Sequence, residues 1–401
     1  LAIDPRDGAT YVGYYDLSRQ DLKLAEYVGT GGNCGPSDDW TCRMVDGPLN
    51  DAGQFTSTAV NSASAESWKL GIAYTGYYNT DHALRYAEYT CAADHCSWSI
   101  STVHMAEGMT SDAASLQYDS EGTPHIAFHH HDELSGHSEI SHATYVGSGG
   151  NCGVYTAEGA WQCDAIRGLA GGLGQAYPSL ALGSGGMPRI AYTDGGVLWY
   201  AASGVRGDAC GPGGTWSCTA VDDGPEAGLY ASLAVDVQDR PHIAYYSATD
   251  ARLKYATLVG SGGNCAGAAW DCLEITGMPS GEEPVGVSLA LDGNGQPVIA
   301  FQGVSGSTAS GGLQVARPVT TLGLSQGNCG PVDDTTSTWR CEVVDPGGTN
   351  LDAGSYASIA INPRGVAIIA YYERDDLHRT GRLKVAVQRF WFHMPVVAVD
   401  S

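Results

Sequence analysis

Short apolar stretches alternate with turns bearing Gly, Asp and Pro along the whole chain. In "SLAVDVQDRPHIAYYSATDARLKYA", residues 232 to 256, this pattern reads as two and a half strands of an antiparallel sheet. The same phrase recurs. The anchor strand is "VGYY" at 12, "IAYT" at 72, "IAFH" at 126, "IAYT" at 190, "IAYY" at 243, "IAFQ" at 299 and "IAYY" at 369. Before each anchor comes a strand ending in a turn, as in "LAIDPRDG", "LAVDVQDRP" and "IAINPRG", so these carboxylates and amides are turn formers. After each anchor comes a third strand with a Leu-x-x-Ala core, and a fourth opens on Trp40, Trp98, Trp161, Trp216, Trp270, Trp339 or Trp391. An indole recurring once per repeat is a packing element between neighbouring sheets.

Four short strands per unit and seven units predict an all-β chain, a single seven-bladed β-propeller. One four-stranded blade cannot bury both of its faces, so each must pack on its neighbours. The expected blades are approximately 1–50, 51–108, 109–170, 171–225, 226–281, 282–350 and 351–401. The tail 390–401 is either the last strand of blade seven or a strand exchanged with another molecule. For that second role the candidates are Trp391, Phe392, Val396 and Val397.

Composition sharpens this picture. The 55 glycines and 22 tyrosines fit many short strands joined by tight turns. A net charge of −24 repels nucleic-acid phosphates and anionic membrane surfaces. No apolar run reaches transmembrane length. The twelve cysteines fall as six close pairs, Cys34–Cys42, Cys91–Cys96, Cys152–Cys163, Cys210–Cys218, Cys265–Cys272 and Cys329–Cys341. None has CxxC zinc spacing, and local pairs of this kind predict hairpin disulfides in a secreted protein, extracellular or at the cell surface. The chain opens at Leu1 already inside the repeated phrase, which reads as a processed or incompletely recorded start.

The chain resembles secreted bacterial seven-bladed propellers with "SLAxD…GxPxIAYY…LxYA…WxC" repeats, over essentially its whole length. That resemblance implies architecture rather than activity. There is no G-x-S-x-G elbow, no HExxH and no P-loop, and no catalytic residue is assigned.

A serine recurs before each anchor's partner strand, at Ser57, Ser115, Ser179, Ser232, Ser288 and Ser358, often two residues after an aromatic; present in every such copy, it reads as a structural hydrogen-bonder. Features that break the repeat carry more information about function. Half of the histidines lie in "HIAFHHHDELSGHSEISH", where His129 and His131 share a strand face and with His137 form a candidate divalent-metal site; otherwise no cofactor is required. Trp68 lies outside the blade position and is either a sugar-stacking platform or local core, while Tyr15, Tyr246 and Tyr372 are candidate ligand contacts. The functional expectation is a non-catalytic extracellular interaction or assembly module, self-associating in a surface layer or filament. The alternatives are a carbohydrate-binding lectin-like propeller and a polysaccharide hydrolase or lyase. The expected partners are a second copy, a glycan or an extracellular protein, without nucleic acid.

Overall fold

The computed structural model describes residues 1–47, 51–61, 68–78, 81–92, 95–105, 109–132, 135–154, 159–170, 176–205, 207–211, 213–277, 286–304, 311–324, 326–329, 337–348, 351–375, 380–388 and 396–399. Its strands form seven antiparallel sheets, each with the four repeat strands in chain order. Blade one runs Ala2–Ile3, Thr10–Asp16, Asp21–Tyr27 and Trp40–Asp46; blade two runs Gln54–Asn61, Lys69–Tyr78, Asp81–Ala92 and His95–His104. Blade three runs Met109–Tyr118, Pro124–Asp132, Ser138–Gly150 and Gly159–Gly168. Blade four runs Ser179–Leu182, Pro188–Asp194, Val197–Ser203 and Trp216–Asp222, with the short Ala209–Cys210 added. Blade five runs Ala227–Val235, Pro241–Ser247, Arg252–Leu258 and Trp270–Gly277; blade six runs Val287–Leu291, Pro297–Val304, Gly311–Pro318 and Trp339–Asp345. Blade seven runs Leu351–Ile361, Ala367–Asp375, Thr380–Val387 and Val396–Val399, and its last strand pairs with the third strand of its own chain. The all-β, seven-bladed propeller class expected from the repeats is therefore what the chain adopts.

Contacts divide the chain into two units. One comprises Leu1–Val28, Thr41–Gly195 and Trp199–Thr219; the other comprises Gly29–Trp40, Gly196–Leu198 and Ala220–Ser401. In each unit the anchor strands are the most deeply buried elements, with Ile72, Ile126 and Ile190 in the first and Ile243, Ile299 and Ile369 in the second all fully inaccessible. The blade tryptophans pack across sheets as the repeat predicts. Tyr86 of blade two meets Trp161 of blade three edge-on at 5.2 Å, and Tyr255 of blade five meets Trp339 of blade six at 5.4 Å.

The six cysteine pairs form, and no cysteine is free among the described residues. The asparagine in the recurring "GNC" phrase has a structural reason. In Asn151, Asn264 and Asn328 the side-chain Oδ1 accepts the N–H, and Nδ2 donates to the C=O, of the second cysteine of the pair, Cys163, Cys272 and Cys341. This side-chain mimic of a strand partner fixes the hairpin beside the disulfide.

The recurring serines are clips between successive blades. Ser57 Oγ accepts the N–H of Leu116, and Ser115 Oγ that of Leu180. In the second unit, Ser232 accepts from Leu289 and Ser288 from Ile359, all at 2.9–3.0 Å. Each bond joins the first strand of one blade to the first strand of the next.

A second recurring contact lies six residues after the blade tryptophan. Tyr74 donates to Asp46 at 2.7 Å, and Arg85 pairs with the same carboxylate. Tyr245 and Lys254 meet Asp222 at 2.6 and 3.4 Å, and Tyr371 and Lys384 meet Asp345 at 2.7 and 2.9 Å. A carboxylate from one blade thus receives an anchor tyrosine and a third-strand cation from the next.

Candidate functional site

The connection from a fourth strand to the next first strand carries a short phrase in three blades: "DAGQFTS" at 51, "EAGLYAS" at 226 and "DAGSYAS" at 352. The alanine is the buried plug, for Ala52, Ala227 and Ala353 are all inaccessible. The glycine takes φ of +113°, +100° and +104° at Gly53, Gly228 and Gly354. Close packing adds a second demand, since a Cβ on Gly53 would lie 2.9 Å from Leu22 Cα. The strand register then slips, between Gln54 and Ser57, between Leu229 and Ser232, and between Ser355 and Ser358.

Inside each slip sits an aromatic residue in left-handed conformation: Phe55 at φ +51°, Tyr230 at +54° and Tyr356 at +53°. Tyr177 of blade four occupies the same place at +44°. For a bulky L-residue this conformation costs about 1–2 kcal/mol. The positive φ does not require the ring, because the equivalent residues Ala113 of blade three and Gly286 of blade six have it too. Phe55 is 40% and Tyr356 72% exposed, whereas Tyr177 and Tyr230 are half-buried. A bulge that re-aims a side chain is a common device beside binding sites.

A carboxylate accompanies three of these rings. Asp51 Oδ1 accepts from Tyr15 at 2.6 Å, and Gln54 Nε2 lies 3.5 Å from its other oxygen. Burial, and then this bond, push the Tyr15 hydroxyl up to about 12, so it stays a donor at any physiological pH. Glu226 is exposed and accepts from Thr249 at 3.1 Å. Asp352 accepts from Gln302 at 2.7 Å and lies 3.4 Å from Arg374, while Ser355 donates to Gln302 at 3.2 Å. Each place therefore sets an aromatic residue four positions after a carboxylate held by neutral or basic donors. That pairing suits a ligand with both C–H faces and hydroxyl groups.

The residues expected from sequence are dispersed. Tyr15 joins one of these places through Asp51, Tyr246 is 3% exposed, and Tyr372 is half-buried. Trp68 belongs to the core between blades one and two: its ring lies 6.1 Å from Tyr11 and 6.2 Å from Tyr89, and Nε1 donates to Asp4 at 2.9 Å. His129 and His131 do share a strand face, with rings stacked at 5.9 Å. His129 Nε2 is bonded to Ser138 Oγ at 2.7 Å, and His131 contacts Thr110. His137 lies instead 3.5 Å from Glu139, which also meets His130 at 3.2 Å. Among the described residues no group of three His, Cys, Asp or Glu side chains is arranged to hold a metal. Trp391 and Phe392 lie outside the described residues, and Val396 and Val397 are described only as paired backbone.

Sequence reasoning passed over Asp51, Phe55, Tyr177, Glu226, Tyr230, Asp352 and Tyr356. Except at Tyr177, the signal was present as an acid–Ala–Gly run that begins four residues before the aromatic of the aromatic-x-Ser phrase.

The fold and these loops define the chain as a disulfide-stapled seven-bladed β-propeller. No protein-family model matches the chain, and no curated protein matches it in sequence. Among solved structures it is similar to an ulvan lyase of polysaccharide lyase family PL25, at TM-score 0.51 and 12% identity, covering 97% of this chain and 95% of that one. A protein of unknown function from Dyadobacter fermentans aligns at TM-score 0.48 and 12% identity, over 98% and 100% of the two chains. The fucose-specific lectin from Aleuria aurantia aligns at 0.47 and 14%, over 85% and 92%. Likeness at these identities is likeness of fold.

Proposed function

We propose that this chain is a non-catalytic carbohydrate-binding propeller acting outside the cell, with binding places at the bulged loops that open blades two, five and seven. One observation carries the reading: a strained left-handed aromatic is kept four residues after an acidic one in three copies, although Ala113 and Gly286 occupy the same backbone position without a ring. Strain retained where the scaffold does not need it points to what the side chain presents. A pyranose ring can lay its C–H face on Phe55 or Tyr356 and donate hydroxyls to Asp51 or Asp352. Several weak places on one chain suit a repeating polysaccharide, because linked binding events add avidity. The disulfides fit an oxidising compartment, and no described helix is long and apolar enough to cross a membrane. Self-association is not needed for this reading, since the Val396–Val399 strand is paired within its own chain.

The test is a polysaccharide-binding screen with the intact protein, followed by titration of the best hit with Phe55→Gly and Tyr356→Gly. Glycine is at ease at positive φ, so both variants should melt at or above the wild-type temperature while losing about tenfold in affinity between them. Unchanged affinity in both variants would overturn the proposal.

A further inference from the structure

The second unit holds a cavity of about 610 Å³ at the other end of its strands, between the turn joining strands one and two of blade six and the equivalent turn of blade seven. Its size is that of a small-molecule site. The floor is apolar, with Val298 1% exposed and Val366 half-buried, and the walls carry Asp292, Arg317, Arg364 and Gln388.

The polar groups on these walls are biased towards donors. Gln388 spends its Oε1 on Arg317 at 3.0 Å and on the Ala367 N–H at 3.2 Å, while its Nε2 has no partner among the described residues. The Arg364 guanidinium stands on an exposed turn and makes no ion pair among the described residues. Arg317 is half-buried, and burial pulls its pKa below the ordinary guanidinium value against the opposing charges of Glu342 and Asp292. Glu342 is engaged by Arg340 at 3.1 Å. Asp292 is the one acid on the wall, and its Oδ1 accepts two N–H groups of its own turn, from Asn294 and Gln296 at 2.9 Å. Two guanidinium groups and an amide N–H therefore face one carboxylate that is partly satisfied by its own backbone.

We propose that this cavity binds a sugar acid, its carboxylate seated between Arg317, Arg364 and Gln388 Nε2 and its ring against Val366. Planar guanidinium groups match a carboxylate in geometry as well as charge, and the apolar floor takes the ring that a bare inorganic anion lacks. The chain's overall charge of −24 makes a local cationic recess more selective, since anions are attracted here and repelled elsewhere.

Calorimetric titration at low salt with D-glucuronate, D-glucose and inorganic sulfate tests this. Glucuronate should bind at least about tenfold more tightly than glucose, and more tightly than sulfate. Arg364→Gln lies on an exposed turn, so it should fold normally and weaken glucuronate about fivefold, while Arg317→Lys should weaken it further by losing the fork geometry. Arg43→Gln, which removes an exposed guanidinium paired with Glu26 in blade one, should leave glucuronate unchanged, which separates this cavity from a general loss of positive charge. Glucuronate binding no better than glucose, or insensitive to Arg364→Gln, would overturn the site. Sulfate binding as tightly as glucuronate would overturn the sugar-acid assignment in favour of a free inorganic oxyanion.

Discussion

The contact between blades one and two and the contact between blades two and three occupy the same slot of the repeat but are built from opposite chemistry. In the first, Asp46 receives Tyr74 and Arg85. In the second, the carboxylate position is His104, the tyrosine is Phe128 and the cation is Ser141. His104 lies 5.5 Å from Phe128 and 4.8 Å from His130, which is tied to Glu139 and Ser141. The substitutions are concerted for a physical reason. A buried tyrosine hydroxyl needs an acceptor, the carboxylate that accepts needs a cation, and loss of the hydroxyl removes the need for both. Blade six shows the same neutral solution, with Thr276, Phe301 and Gln314 in the three positions. The ionic set is thus one way of filling the slot, and between blades three and four a third appears, where Tyr192 is kept with Arg167 stacked on Trp199 in the other two positions.

The sharpest way to break this comparison is to remove one member. Asp46→Ala strands a buried guanidinium and a buried hydroxyl, and should cost about 3–5 kcal/mol in urea unfolding. Replacing the whole set with the blade-six solution, Asp46→Thr with Tyr74→Phe and Arg85→Gln, should cost far less than the single change, within about 2 kcal/mol of wild type. A triple variant as unstable as the single one would show that the set is not a unit.

Acid should separate the histidine contact from the ionic set of Asp345 next. Burial, and then His130, lower His104 to about 4. The unfolded chain therefore takes up a proton near pH 6.5 that the folded chain refuses until about 4, so stability falls as pH drops through that window and no further below it. At the ionic slot between blades six and seven the order is different. Burial works to raise Asp345, but its bonds from Lys384 and Tyr371 outweigh that and hold it below the ordinary carboxylate range, so its contribution is lost only under stronger acid. His104→Thr, which copies Thr276, should reduce the stability lost between pH 7 and pH 5 by on the order of 1–2 kcal/mol. The comparison is wrong if the two proteins show parallel pH profiles, because the histidine would then be titrating normally in the fold.

The shape of the molecule was legible because burial repeats itself. The Trp161, Trp216 and Trp270 positions, the anchor isoleucines and the cysteine pairs answer the same demand in each blade, so their sequence signals coincide. The interface sets were not legible, because Asp46 meets Tyr74 across 28 residues and nothing in either strand names the other. The loop sites were half legible. An aromatic two residues before Ser57 or Ser358 is visible, but its left-handed backbone is not, since Ala113 and Gly286 share the positive φ with no common residue type. Trp68 was legible only as two alternatives, a sugar-stacking platform or local core, because its contacts with Asp4 and Tyr89 exist only once the blades are packed.

The smallest expected effect tests how far the two contacts are independent of their clips. Ser57 Oγ holds the Leu116 N–H between blades two and three, whereas between blades one and two the roles are inverted: Thr58 Oγ1 accepts the Gly13 N–H at 3.2 Å and Thr56 donates to Gly13 O at 3.3 Å. Gly13 has no room for more, since a Cβ there would lie 2.5 Å from Thr58 Oγ1. Ser57→Ala should cost about 1 kcal/mol, the worth of one backbone N–H left without its acceptor, and this cost should add to that of Asp46→Ala in a double variant. Additivity would mean that each blade contact carries its own share of stability, as expected where nearest neighbours pack pairwise. A double variant much less stable than the sum would instead mean that blade two transmits strain from one face to the other, and the two contacts would have to be treated as a single cooperative core.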